Sequence, residues 1–569
     1  MSPKEKNTKA TQVVICWHMH QPYYKEQVTG EYQLPWTYLH AIKDYIDMAA
    51  IIEANPQARA VVNFCPTLLE QIDDYRRQVC LYFIKHQPLT DPLLAQLVSF
   101  NIPATQHEKE QLIQCCLRAN EKRLINSYPA YAELAEMGKR ALASERQLNY
   151  LNEQYYFDLI TWYHLAWLGE TVKMHNPIAR LLIKQGRDFS LQNRSQLLEL
   201  IGDIFSDIIP KYRTLAETNQ IELSVTPYSH PIIPLMLDIN STHEATPDAP
   251  LPKHHYPGGQ QRAQWQLNYA KEVFEHFFGF GPKGCWPSEG AVSTDTIQLI
   301  EKCGYSWAAT GGNVLFNSLD ASKQRKDGDC IHHPYKVKGS DLHCFFRDDN
   351  LSDLIGFTYA DWNANDAVDN FVHHLENIIE ACKGEDNRVI SVILDGENCW
   401  EYYSHNGYHF LSTLYSEIAK HPKFELTTFS NTIANKTKTK ELNTLVAGSW
   451  VHGTFSTWIG EPAKNQAWEL LIEAKHCYDK VISSGTLPEH IKERANIQLA
   501  ICEGSDWSWW FGDYNAEESV RLFDTLYRTH LKTLYQILGE PPPAHLNNRI
   551  AYGSGDPSNS GTMRRANED

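Results

Sequence analysis

Residues 389–403 read VISVILDGENCWEYY. An apolar, β-branched run from Val389 to Leu394 stops abruptly at Asp395-Gly396-Glu397-Asn398, and Trp400, Tyr402 and Tyr403 follow at once. A short continuous apolar run bounded by turn residues is the pattern of a strand buried on both faces, as in a parallel sheet. Such a strand carries two carboxylates and an amide to its C-terminal end. In parallel α/β barrels that end is where active sites are assembled.

Other apolar runs follow the same rule. Residues 12–17, QVVICW, end at His18, His20 and Gln21, and residues 60–65, AVVNFC, form a second strand. IELSV, 221–225, leads to Tyr228 and His230; GCW, 284–286, leads to Glu289; DLHCFF, 341–346, leads to Arg347 and Asp348. Between them lie helical patterns, such as the capped STDTIQLIEKCG with Ser293 before it and Gly304 after it. This alternation predicts an α/β fold with a parallel sheet, closing as a barrel, over 12–435. Residues 67–218 are mostly helical in pattern and read as an insertion.

After about residue 450 strand patterns stop. EPAKNQAWELLIEAKHCYDKVISS, EHIKERANIQLAICEG and AEESVRLFDTLYRTHLKTLYQILG predict three helices, which places a C-terminal helical bundle at 436–540. Residues 1–11 form a polar tail. Residues 541–569, rich in Pro, Gly and Ser, read as a disordered tail.

The chain has 569 residues, 42% hydrophobic and 21% charged, with a net charge of −17. That suits a soluble globular protein with a large core. No long basic run is present, which argues against nucleic acid and anionic membranes as partners. No window is long and apolar enough for a membrane span, and the lysine-rich N-terminus leads into no signal core. The thirteen cysteines are scattered, with no Cys-x-x-Cys. They read as reduced thiols in a cytoplasmic protein, neither a disulfide framework nor a zinc site.

Two chemistries fit the residues at the strand ends. In one, His18, His20, His230 and Asp395 hold a metal for hydrolysis. In the other, two carboxylates cleave a glycosidic bond. Glu289 is then the nucleophile and Asp395 the general acid, with the charge of Glu397 raising the pKa of Asp395. His18, His20 and His230 hydrogen-bond sugar hydroxyls. The aromatics favour sugar: the chain holds 15 Trp and 29 Tyr, and SDWSWWFGDY places Trp507, Trp509 and Trp510 between Asp506 and Asp513. A protein that binds glucan without cleaving it is a third reading.

These segments resemble glycoside hydrolase family 57. HMHQPYY, TPYSHPIIP, CWPSEGAVS and LDGENCWEYY are similar to its first four conserved regions, and EGSDWSWWFGD to its aromatic segment. GSWVHGTFSTWIGEPAKNQAW and FRDDNLSDLIGF resemble its α-amylase/amylopullulanase-like branch. The resemblance implies an incomplete (β/α)7 barrel followed by a helical bundle that contributes to the cleft. It implies Glu289 as nucleophile and Asp395 as general acid/base in retaining cleavage of α-1,4-glucosidic bonds, with α-1,6 bonds a further candidate. Starch- or glycogen-type glucans and maltooligosaccharides are the implied partners, with no cofactor and no metal. Transfer to a sugar acceptor, as in a 4-α-glucanotransferase, uses the same residues. Gln21, Tyr228, Trp286, Arg347, Asp348, Trp400, Asp506, Trp507 and Trp510 join the histidines and Glu397 as expected substrate contacts. Retention predicts the two carboxyl groups roughly 5–5.5 Å apart.

Overall fold

The structure is a computed structural model that describes residues 10–325, 331–382 and 388–555. Residues 1–9 of the expected N-terminal tail lie outside the described residues. Ten strands form one sheet among the described residues. They are β1 (Thr11–Met19), β2 (Ala60–Phe64), β3 (Ile221–Val225), β4 (Gly284–Cys285), β5 (Trp307–Thr310), β6 (Tyr335–Val337), β7 (His343–Phe346), β8 (Val389–Asp395), β9 (Phe424–Leu426) and β10 (Lys440–Leu442).

Their order is β10-β6-β7-β5-β4-β3-β2-β1-β8, with β9 added beside β1. From β7 to β8 every neighbouring pair is parallel. Those seven strands curl until the end of β7 meets β8, where Arg347 bridges Ser391 and Asp348 N–H donates to Ser391 O at 2.8 Å. This is the incomplete (β/α)7 barrel.

The two-residue period of a strand sorts side chains by face. Val14, Cys16, Val61, Val389 and Ile393 pack inside the barrel with Trp286, Trp307, Phe345 and Phe429. Val13, Ile15 and Trp17 face the surrounding helices and belong to the main core. His18 continues the inner face of β1, and Asp395 the inner face of β8. Register puts the two side by side, with Asn63 on the other flank of His18.

Most of the expected insertion is helical, led by Pro66–Lys85, Glu153–Trp167 and Leu191–Glu217. The three expected C-terminal helices are Pro462–Ser483, Glu489–Cys502 and Glu517–Ile537. Two details differ from the sequence reading. The barrel sheet runs past residue 435, because β10 pairs with β6; three-residue strands carry too little periodicity to be seen in sequence. Residues 541–555 are packed, not loose. Leu546, Ile550 and Ala551 are buried, Asp524 accepts from the Ile550 and Ala551 N–H groups, and Arg528 donates to Leu546 O. Three apolar anchors and one buried carboxylate outweigh a turn-rich composition. Residues 556–569 lie outside the described residues.

Candidate active site

The C-terminal ends of the strands open into a cleft of about 1490 Å3. Glu289 and Asp395 both line it, together with His18, His20, Gln21, Arg347, Glu397, Asp506 and Trp510.

Glu289 follows β4 and has left-handed backbone angles, φ 58° and ψ 22°. For a residue with a Cβ that conformation costs on the order of 1–3 kcal/mol and persists only where its surroundings enforce it. The enforcing element is a clip: Val292 and Gly448 exchange both backbone hydrogen bonds, and Trp450 N–H donates to Glu289 O at 3.1 Å. The Trp450 indole N–H then donates to Glu289 Oε2 at 2.9 Å. Burial, followed by the charge of Asp395, pushes the Glu289 carboxyl up to about 8, against the pull of Trp450 and of charged His20.

Asp395 closes β8, and its Oδ2 accepts from Asn398 Nδ2 at 2.8 Å. Burial pushes it up to about 6, opposed by Asn398, His20 and Arg347. Glu397 behaves differently from its sequence expectation. Burial, then the charge of Asp395, raises it well above the usual carboxyl range. A neutral Glu397 supplies no charge, so Asp395 is shifted by its own burial. Glu397 Oε1 accepts from His20 N–H at 3.1 Å and from Gln21 Nε2 at 3.4 Å, fixing the loop after β1.

The three histidine rings cluster in nearly parallel planes, with His18 and His20 5.7 Å apart at 15°. The ring centroids of His20 and His230 lie 3.8 Å apart at 13°, and those of His18 and His230 5.1 Å apart at 15°. Burial opposes charge on His20, but the charge and 2.7 Å hydrogen bond of Asp506 outweigh it, with Cys65 adding to them, and raise it well above its ordinary value. Burial and the neighbouring His20 charge lower His18 to about 3 and His230 well below its usual range.

Both neutral rings are therefore fixed in one tautomer. Ser505 Oγ–H donates to His230 Nδ1 at 2.8 Å, His230 Nε2–H to His18 Nε2 at 3.1 Å, and His18 Nδ1–H to Asn63 Oδ1 at 2.7 Å. Every nitrogen of His18 and His230 is engaged within the protein. They shape the floor, and these internal bonds occupy the nitrogens expected to meet sugar hydroxyls.

His20, His230 and Asp506 offer atoms within 4.8 Å of one another, a grouping that could hold a metal among the described residues. Its chemistry fits poorly. His20 carries a proton shared with Asp506, His230 has both nitrogens engaged, and lone pairs of two face-to-face rings lie in parallel planes and do not converge. His18 and Asp395, expected in the metal set, are not part of this grouping.

Arg347 reaches the cleft wall, but its donors go to Asp349, Asp353 and Ile393 O. Six expected contacts do not line the cleft. Tyr228 turns to Glu70 and faces a second cavity. Trp286 is buried beneath Trp450. Asp348 caps the helix Asp349–Asp353 and pairs with His332. Trp400 and Trp507 are buried with their N–H groups on Gly396 O and Ile501 O. His230 sits just behind the lining, 3.7 Å from Glu289 Oε1. Sequence reasoning missed Trp450, Asn398 and Ser505 as parts of the site. Asn398 stands in the opening motif; Trp450 and Ser505 reach the site only through pairings distant in sequence.

A family model described as Glycosyl hydrolase family 57 matches residues 14–446. The chain belongs to glycosyl hydrolase family 57. Family membership makes it a glycoside hydrolase. No curated protein sequence matches the chain. Among solved structures it is similar to a GH57-type branching enzyme from Pyrococcus horikoshii, 16% identical over 94% of this chain and 96% of that one, with TM-score 0.58. It is also similar to the α-amylase AmyC from Thermotoga maritima, 13% identical over 93% of each, TM-score 0.57. A 4-α-glucanotransferase from Thermococcus litoralis is 12% identical over 93% of this chain and 60% of that one, TM-score 0.52. At these identities the likeness is one of fold. No described helix is long and apolar enough to cross a membrane.

Proposed function

We propose that this family 57 enzyme cleaves α-1,4-glucosidic bonds of glycogen- or starch-type glucans and maltooligosaccharides, with retention of configuration. The observation that carries the reading is the convergence of Glu289 and Asp395 in one cleft, both partly buried, with the charge of Asp395 acting on Glu289. The Glu289 carboxylate attacks the anomeric carbon as its bond to the leaving oxygen breaks, and Asp395 gives that oxygen its proton. The Asp395 carboxylate then takes a proton from water, whose oxygen displaces Glu289 from the same carbon. Two displacements restore the starting configuration. Trp450 and charged His20 favour the anion on Glu289.

When a sugar hydroxyl takes the place of water, the same cycle is a glucanotransferase. The cleft gives that reading room, because its lining extends to Trp36 and Trp167 on one side and to Trp509 and Trp510 on another. Flat rings with polar edges suit pyranose faces. No cofactor is needed for either cycle. Eleven described cysteines, Cys16 and Cys65 among them, are free thiols, which supports placing the enzyme in the reducing cytoplasm.

Proton NMR of the first turnover tests the stereochemistry. The α-anomer appearing first supports the cycle; the β-anomer appearing first overturns it.

A further inference from the structure

A second cavity, of about 510 Å3, lies behind the loop that carries His20 and Gln21. Its walls come from the helices Pro66–Lys85 and Gly259–Phe278 and from the segments holding Tyr23 and Tyr228. Resting on the glucan reading above, we propose that this cavity is a second carbohydrate site, which holds a glucosyl segment of the same α-glucan outside the catalytic cleft.

The lining carries a small excess of acidic groups over its two cations and is rich in hydroxyls and rings. Asp74 is paired with Lys25 at 2.7 Å, and Asp73 with Arg77 at 3.1 Å. That balances both cations against aspartates and leaves Glu70 and Glu272 as acceptors. Burial holds the Glu70 carboxyl up to about 7, so near neutral pH it both donates and accepts hydrogen bonds, as a sugar hydroxyl does. An anion meets no free cation among these groups, and a cation meets two that are already present.

The rings supply the stacking surface. Tyr269 lies in the wall and stacks on half-buried Trp265 with centroids 4.8 Å apart at 14°. Tyr228 stands edge-on to Tyr269 at 4.7 Å and donates its hydroxyl to Glu70 at 2.7 Å. A paired flat platform beside hydrogen-bond acceptors is the arrangement that pyranose rings prefer. A polymer anchored there stays tethered between catalytic events, which raises its effective concentration at the cleft.

The cavity also touches the catalytic loops from behind. Gln71, in its wall, donates to Pro22 O at 3.1 Å and accepts from Tyr24 N–H at 3.1 Å. Tyr24 lines the cleft and Tyr23 the second cavity, so one loop forms part of both.

Calorimetric titration of the Glu289→Gln protein with maltoheptaose tests the assignment. Two classes of site are expected. Tyr269→Ala removes one class, weakening it about tenfold or more, and Trp510→Ala weakens the other. Glu272→Lys, on the exposed edge, weakens the first class without disturbing the packed rings, so a folding defect in Tyr269→Ala does not decide the matter. In the otherwise native enzyme, Tyr269→Ala raises KM for glycogen and leaves kcat on maltotetraose unchanged. One class of site, lost in Trp510→Ala and untouched by Tyr269→Ala and Glu272→Lys, overturns the inference and leaves the cleft reading standing. Binding at neither site overturns both.

Discussion

Glu289 gathers three constraints on one residue: a left-handed backbone, a partly buried carboxyl and an indole N–H aimed at it. A carboxyl whose acidity is weakened by folding holds its proton more tightly in the native state than in the unfolded one. Stability then falls as pH climbs from the ordinary value to the raised one. For Glu289 that interval runs from 4.5 to about 8. Glu289→Gln removes the ionisation, so the variant melts at higher temperature than the native protein at pH 8, and the gain vanishes near pH 4. Thermal melts across that range check it. Activity has the opposite need, a Glu289 anion beside a protonated Asp395. With Asp395 raised to about 6 and Glu289 to about 8, the pair carries one proton between those values. The pH profile of kcat/KM is expected to be bell-shaped with limbs near these two values, which belong to the pair as a unit.

At the scale of elements, the clip between 289–292 and 448–450 holds Glu289, the proposed nucleophile, in its left-handed backbone. Trp450→Phe keeps the ring and removes the N–H donor to Glu289. Hydrogen bonds to charged groups are worth roughly 1.5–3 kcal/mol, so kcat is expected to fall by about tenfold to a hundredfold with little change in melting temperature. Unchanged kcat contradicts the role given to that bond. The same contrast explains what the sequence showed. β1, β3 and β8 are long or strongly β-branched, and their ends were legible from apolar runs stopping at charge. Asp395 and His18 follow from strand parity alone. Trp450 does not, because its place depends on backbone pairing with a segment about 160 residues away, for which local pattern holds no signal. Asp348 and Trp400 misled for the converse reason. Each stands at a strand end or beside a catalytic motif, but the helix cap of Asp348 and the buried packing of Trp400 are decided by neighbours in space.

Across the whole molecule, the barrel and bundle share one active site. Ser505 and Asp506 belong to the bundle, yet they set the tautomer of His230 and the charge of His20. Glu503 fastens the two parts: its side chain is fully buried and takes hydrogen bonds from Arg262, Gln266 and Tyr256. Glu503→Ala leaves the Arg262 charge buried without that partner. Loss of one member of a buried pair costs about 3–5 kcal/mol, so the variant is expected to unfold at clearly lower denaturant and to lose most turnover even where it remains folded. Equilibrium unfolding and assay under native conditions separate the two effects.

The most direct test of the two-carboxylate cleft is to incubate the enzyme with maltoheptaose, size the products, and repeat with EDTA and with Glu289→Ala. The predicted result is cleavage products from the native enzyme, unchanged by EDTA and absent from the variant; longer sugars beside the shorter ones assign the transfer cycle to the same residues. Turnover that survives in Glu289→Ala, or that EDTA abolishes, contradicts the account.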